Sequence, residues 1–333
     1  MRQAGRYLSD YRAIRAKHGF LEVCKTPDLA AEVSLQPYRI LDVDAVIVFS
    51  DILIPAEAMG MHLELSEAGP VLHDPVRSAA DVARLHDFDP EVETRFVGDA
   101  IRKLRRALGP RVPILGFAAA PWTLACYMVE GQTKSGFSSI KQMMFAEPVT
   151  LRRLLERIAR TTAGYLDAQI AAGADVVQLF DTWAGELSRE QYEAFALPAT
   201  RITMNEMRRR TTPVILYTKA AAHLLPSVAQ AGANVLGVDW RVDLAEALRI
   251  PGGHAAVQGN VDPCILLGPA AGVRAAALDA IRKTGGQGHI LNLGHGILPT
   301  TPVENAKAFV AAARESAARP RPRSEQAVSR QAI

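Results

Sequence analysis

The sequence predicts an α/β protein built on one parallel sheet, and three observations predict it. Short apolar, β-branched runs that stop at a polar or aromatic residue occur seven times along the chain. Helical stretches separate them, and strands alternating with helices imply a parallel sheet with helical crossovers. The 333 residues, 49% hydrophobic and 22% charged, supply a large core, and α/β barrels reach this length as single units. Alternation alone leaves two architectures open, a closed barrel and an open doubly wound sheet.

Taken in order, the pattern from Ser9 to about His18 is helical. Thr26-Pro27 then offers an N-cap followed by proline at the first helical position, which opens a helix over Asp28 to Arg39. DAVIVFSD, Asp44 to Asp51, reads as the first buried strand. The same grammar returns in VPILGFAAAPW, ADVVQLFDTW, TPVILYTK, ANVLGVDW, HAAVQGN and HILNLGH, separated by helices such as Pro148 to Ala172, Ser188 to Arg210, Leu224 to Ala231 and Leu266 to Thr284. Between Met59 and Glu91 the chain is rich in Gly, Pro, His and acidic residues, an excursion from the repeating unit. Thr301-Pro302-Val303-Glu304 reads as a capping box opening a last helix. From about Ala318 the chain is polar and proline-rich, so residues 1–317 form one domain and residues 318–333 a disordered polar tail.

Charge and cysteine content narrow the partners. A formal charge of +3 is too small to point to nucleic acid, though it does not oppose an anionic small molecule. Cys24, Cys126 and Cys264 are odd in number and far apart, with no C-x-x-C pair, so they form neither a disulfide framework nor a metal site. A reducing cytoplasm is the natural setting. No run has the length of a membrane span, and the N-terminus lacks an apolar signal segment.

Candidate chemistry gathers at the strand ends. Asp51, Trp122, Thr182, Lys219, Asp239, Asn260 and His295 each end an apolar run, and in a parallel α/β sheet those ends converge on one mouth. Asp51 reads either as a partly desolvated carboxylate that accepts N–H donors or as an N-cap for the next segment. Tyr127 reads as a cleft hydroxyl or as a core aromatic, and Thr182 as a ligand contact or as a capping hydroxyl. His295 lies between Gly294 and Gly296, where backbone freedom would let an imidazole be presented or would let it satisfy local carbonyls. At the N-terminus Arg2, Arg6 and Arg12 surround the small pair Ala4-Gly5, three guanidiniums able to hold carboxylates bidentately. The glycine-rich TGGQGH, Thr284 to His289, lacks the lysine and hydroxyl of a P-loop and precedes a strand, so it is not read as a nucleotide site.

Seven strings carry a resemblance: MRQAGRYLSDYR at Met1 to Arg12, FSDILIP at Phe49 to Pro55, APWTLACYMVEG at Ala120 to Gly131, QLFDTWAG at Gln178 to Gly185, GVDW at Gly237 to Trp240, QGNVDP at Gln258 to Pro263, and NLGHGILP at Asn292 to Pro299. In this order, over roughly residues 1 to 310, they resemble the uroporphyrinogen decarboxylase family. The resemblance implies a single (β/α)8 TIM-type barrel. Because only seven strands are visible, an eighth is expected immediately before Met1, the arginine segment being its C-terminal loop. The resemblance further implies a carboxy-lyase that converts the four acetate side chains of uroporphyrinogen III to methyls, giving coproporphyrinogen III on the route to haem. No cofactor and no metal are implied. Catalysis would fall to Asp51, Arg2 and Tyr127, and substrate binding to Arg2, Gln3, Ala4, Gly5, Arg6, Asp51, Tyr127, Thr182 and His295.

Two departures stand out against the family pattern. Thr182 occupies a place where many relatives carry serine, a change that mainly adds a methyl group. Ala220-Ala221-Ala222 replace glycines that relatives often carry after Lys219, so that loop is expected to be stiffer or to begin its helix sooner, and Lys219 is left out of the site. A cytoplasmic homodimer acting on a polyanionic tetrapyrrole, away from nucleic acid and membranes, completes the expectation. The alternatives are a zinc-dependent corrinoid or thiol methyltransferase of the same superfamily and a non-catalytic tetrapyrrole-binding protein. The first needs histidine and cysteine at strand ends, and no H-x-C pair exists.

Overall fold

The computed structural model describes residues 2–66, 69–132, 136–208 and 211–318. Nine strands run in chain order: β1 (Val46–Ile47), β2 (Leu63–Ser66), β3 (Gly69–Leu72), β4 (Ile114–Ala119), β5 (Val176–Asp181), β6 (Val214–Thr218), β7 (Val235–Gly237), β8 (Ala256–Val261) and β9 (His289–Leu293). Seven of them form one parallel sheet in the order β1-β4-β5-β6-β7-β8-β9. Consecutive strands are neighbours throughout, with a helical crossover between each pair, which is the order of a TIM-type barrel and not the reversing order of a doubly wound sheet. β1 and β9 are the two edges of the curled sheet. Between them lies a cavity of about 880 Å³, with Val43 and Ile47 on one side and Ile290, Leu291, Ile297 and Phe309 on the other.

Helix periodicity explains how the outer layer seats itself. Pro148–Ala172 is the longest helix, and its buried residues Leu151, Leu155, Ile158, Thr162, Leu166 and Gln169 recur every three or four positions, one face turned to the sheet. Gln169 reaches β4 from that face, donating to Phe117 O at 2.9 Å and accepting from Phe117 N at 2.8 Å. The opposite strand position is Gly116 because a Cβ there would stand 2.4 Å from Gln169 Oε1. Inside the sheet Phe117, Phe180 and Tyr217, on three successive strands, meet edge to face at 5.7 and 5.8 Å. Gln258 donates across the interior to Gln178 Oε1 at 3.1 Å, while Gln178 Nε2 is buried without a partner.

Several expectations about single elements are corrected. The stretch from Met59 to Glu91 is not plain loop: it folds as the antiparallel hairpin β2–β3 followed by helix Ala79–Arg84. Its alternation is short, four residues per strand, which is why the turn-forming composition concealed it. Trp122 does not end a strand; β4 stops at Ala119 and Pro121 opens the helix Pro121–Glu130 that contains Trp122 and Tyr127. The region Ser188 to Arg210 is helical over Arg189–Gln191 and Leu197–Glu206, joined by a π-helical turn, Tyr192–Ala196. The capping box at Thr301 does not form. The last helix is Val303–Ala318, and the Thr301 hydroxyl is buried without a hydrogen-bond partner. Of the polar tail, Ala318 closes this helix and residues 319–333 lie outside the described residues.

Candidate active site

The C-terminal ends of the strands carry a continuous arc of functional side chains. Asp51 stands just beyond β1, where Ile52 and Leu53 turn the chain into helix Ile54–Ala58. One carboxylate oxygen, Oδ1, accepts from Leu53 N at 2.8 Å, the turn-capping role. Asp51 is half-buried as a residue, and protein packs around its carboxylate. This loss of hydration raises its pKa; the Leu53 amide works against the rise and the Glu57 charge adds to it.

Tyr127 projects from the middle of helix Pro121–Glu130 and is half-buried. Its pKa is pushed up to about 12, first by burial and then by the Asp51 charge, so it keeps its proton and can donate. Its ring lies 6.3 Å from that of Trp183, which also meets Phe137 at 4.8 Å. Trp183 is held from behind: Trp122 Nε1 donates to its carbonyl at 3.1 Å, and its N–H donates to Thr123 Oγ1 at 3.2 Å. Its own Nε1 is buried without a partner in the protein. Thr182, just past β5, is half-buried beside it.

Lys219 ends β6 and lies with Nζ 5.6 Å from the centre of the Trp183 ring. The three alanines after it do not simply stiffen the loop. Ala220 takes a left-handed conformation, φ +53°, the one a glycine would adopt without strain, and a short 3₁₀ turn, Ala222–Leu224, follows. The Asp239 carboxylate holds this bend by accepting from Ala220 N at 2.6 Å, and it also pairs with Arg241 Nη1 at 2.6 Å. Lys219 is therefore directed toward the mouth despite the missing glycines.

His295 stacks on Tyr217 at 6.2 Å, continuing the aromatic row from the interior. Burial, and then the positive charges of Lys219 and Arg2, lower its pKa to about 4, so it is a neutral imidazole near pH 7. Its Nδ1 is buried without a partner. The flanking glycines serve close approach, not conformational freedom, since neither has positive φ. A Cβ on Gly294 would stand 2.8 Å from Trp240 N, and one on Gly296 would stand 3.1 Å from Arg2 Nε and Nη2.

That last contact ties the N-terminal segment to the arc. Arg2 lies against Gly296; the residue is exposed, but protein around its guanidinium, with Arg6 nearby, lowers its pKa from a value so high that it stays charged. Gln3 uses its amide structurally: Nε2 donates to Ala45 O at 2.9 Å and Oε1 accepts from Ile47 N at 3.0 Å, mimicking a strand partner for the edge of β1. Ala4 is buried, Gly5 O accepts from Leu8 N at 3.0 Å, and Arg6 is exposed. Arg12 is no free cation. It donates to Arg6 O at 2.7 Å and Tyr7 O at 3.1 Å, clamping the loop that presents Arg6.

The structure thus brings Arg2, Arg6, Asp51, Tyr127, Thr182 and His295 to one face and adds Trp183 and Lys219, which the sequence reading left out. The signal for both was their position at strand ends. The cysteines do not join them: Cys24 and Cys126 are buried, and burial raises both thiols. Among the described residues no cysteine belongs to a group of three His, Cys, Asp or Glu side chains with metal-ligand spacing.

The family model for uroporphyrinogen decarboxylase (URO-D) matches residues 1–316. The chain belongs to the uroporphyrinogen decarboxylase family. It is 50% identical to the uroporphyrinogen decarboxylase of Gloeobacter violaceus over 312 residues, 93% of this chain and 90% of that one. It is 51% identical to that of Pelobacter propionicus over 93% of this chain and 91% of the relative, and 48% identical to that of Myxococcus xanthus over 94% and 90%. Among solved structures, a methyltransferase from Methanosarcina mazei superposes with a TM-score of 0.75 at 24% identity, covering 89% of this chain and 88% of that one. A B12-independent methionine synthase from Shewanella sp. W3-18-1 follows with a TM-score of 0.59 at 12% identity, over 90% and 89% of the two chains. At such identities the likeness is one of fold alone.

Proposed function

We propose that this chain decarboxylates the four acetate side chains of uroporphyrinogen III to methyls, yielding coproporphyrinogen III, and that it does so with its own side chains and the substrate. The observation that carries the reading is the pairing of one desolvated carboxylate, Asp51, with cations set apart from it along the same mouth, Arg2, Arg6 and Lys219. A tetrapyrrole has the complementary pattern, N–H donors at its centre and carboxylates at its rim. Family membership and relatives of that name at about half identity support the same substrate.

Loss of CO2 leaves an electron pair on an exocyclic carbon, which needs an acceptor. Protonation of a pyrrole ring carbon makes the ring that acceptor: the bond to the carboxylate breaks, its pair enters the ring, and CO2 departs. A proton then adds to the exocyclic carbon to give methyl while the ring releases its own, a net uptake of one proton per acetate. Asp51, with acceptor capacity left after the Leu53 N–H, gathers pyrrole N–H groups and stabilises the cationic ring. Tyr127, kept protonated, supports that charge. Arg2 and Arg6 hold carboxylates, with Arg2 beside the reacting acetate, and Thr182 and neutral His295 contact the rim. Gln3, Ala4 and Gly5 contribute through their backbone, the Gln3 side chain being spent on β1. A guanidinium is a poor proton donor, so Arg2 acts by binding.

The methyltransferase reading loses support because no cysteine joins the arc, and the retention of Arg2, Arg6, Asp51 and Tyr127 together argues against a non-catalytic binder. Among the described residues no helix is long and apolar enough to cross a membrane. Three free cysteines suit a reducing cytoplasm, and a homodimer is the proposed assembly. Purified protein given uroporphyrinogen in metal-free buffer should release CO2 and form coproporphyrinogen. Binding without turnover would leave only the carrier reading, and a requirement for zinc or corrinoid would revive the methyltransferase.

A further inference from the structure

The hairpin β2–β3 gathers His62, Glu64 and His73, all exposed. Strand geometry puts them together. Leu63 pairs with Leu72 and both are buried, so the residues beside them face solvent: Glu64 next to Leu63, and His62 opposite His73, whose N–H donates to His62 O at 2.9 Å. One ligand atom from each of the three lies within 4.8 Å of the others, with His73 Nε2 2.9 Å from Glu64 Oε2 and the two imidazole rings 5.0 Å apart at 80°. Among the described residues this is the one group of three such side chains with that spacing.

We propose that His62, Glu64 and His73 form a surface site for a borderline divalent cation of the zinc, nickel or copper class. Two imidazoles and a carboxylate are the donors such ions prefer, whereas calcium and magnesium take oxygen ligands. Bonds of roughly 2 Å to a tetrahedral ion bring ligand atoms to within about 3.5 Å of each other, a contraction that rotation of exposed side chains supplies. Water takes the fourth position. The backbone beneath is fixed independently of any ion: Leu72 N donates to Gly131 O at 2.6 Å, Val76 N donates to Met128 O at 2.9 Å, and Val71 bridges to Gln132. A cation therefore meets a pre-set strand pair and orders only three side chains, which lowers the cost of binding. The site shares no residue with the arc of Asp51 and needs no substrate.

The test is calorimetric titration of the full, tag-free chain with zinc alone, in parallel with His62→Gln, His73→Gln and the double variant, using magnesium as control. The expected result is one more zinc bound by the parent than by the double variant, with that site weakened at least about tenfold by loss of either imidazole, and no heat with magnesium. Copper electron paramagnetic resonance supplies a second readout on the unaltered chain, expected to show two coordinated nitrogens and one in each single variant. Equal zinc stoichiometry and affinity in parent and double variant, or a copper signal indifferent to both substitutions, would overturn the site.

Discussion

Asp51 accepts one backbone N–H through Oδ1 and carries the charge assigned to stabilising the substrate, which makes it the most informative single residue to change. Asp51→Asn preserves the turn, because an amide oxygen still accepts from Leu53 N, but it removes the charge that stabilises a cationic pyrrole. We expect kcat to fall by about 10²–10³, the scale of losing one preorganised electrostatic partner, with melting temperature nearly unchanged. The acid limb of the rate profile should also go. Asp51 must be ionised to act, its raised pKa moves that limb toward neutral pH, and asparagine has nothing to titrate. Near-normal turnover in this variant would remove Asp51 from the chemistry. At the rim, Arg6→Ala should raise KM more than it lowers kcat, and Arg6→Lys should recover only part because an ammonium lacks the planar fork. Substrate affinity should weaken as salt rises, through screening of an exposed guanidinium. A salt-independent KM in the parent, unchanged in Arg6→Ala, would exclude Arg6 from binding.

At the scale of elements, the loop after β6 shows what a sequence can and cannot reveal. Lys219 was recognisable as a strand end, yet the alanines behind it hid its direction, because the bend depends on Asp239, twenty residues away, accepting from Ala220 N. Gly294 and Gly296 were visible as punctuation around His295, but their reason, room for Trp240 and Arg2, exists only once distant segments meet. Thr301 carried a local capping signal that tertiary burial overrode. The long helix Pro148–Ala172 was legible because it follows its period over many residues, and the sheet strands because they lie in continuous apolar runs, a mark that the hairpin β2–β3 lacks. The Ala220 bend yields its own prediction. An L-residue in this conformation costs about 1 kcal/mol, whereas glycine relieves the strain and loses some of the gain to the entropy of its unfolded chain. Ala220→Gly should therefore leave stability unchanged or raise it by up to about 1 kcal/mol, with KM unaltered, while Ala220→Val should lower it. Denaturant midpoints for the three proteins decide the point; a clear loss in Ala220→Gly would mean that the bend is not strained.

Across the whole molecule, stability against pH is set by buried groups whose shifts oppose one another. Asp181, at the end of β5, accepts from the Thr123 hydroxyl at 2.8 Å, and its other oxygen is buried without a partner. Burial drives its pKa up to about 7 against the Thr123 hydrogen bonds, so folding takes up a proton between the unfolded value of 3.8 and about 7. In that window the folded state binds more protons than the unfolded chain, and stability falls as pH rises; raised Asp51 acts in the same sense. His295 runs the other way. Its folded pKa of about 4 lies below the unfolded 6.5, so the unfolded chain binds the extra proton and stability falls as pH drops through that range, with lowered His289 adding to it. The parent should consequently show a shallow dependence of melting temperature between about pH 4.5 and 6.5. Asp181→Asn, which keeps an acceptor for Thr123, removes the acid-stabilising group and should make melting temperature drop on acidification. His295→Gln should do the reverse, leaving a protein that melts higher near about pH 5 than near pH 7. Thermal scans of the three proteins across this range are the measurement. Parallel curves for all three would mean that neither Asp181 nor His295 changes its protonation on unfolding, and the lowered pKa assigned to His295 in the mouth would fall with it.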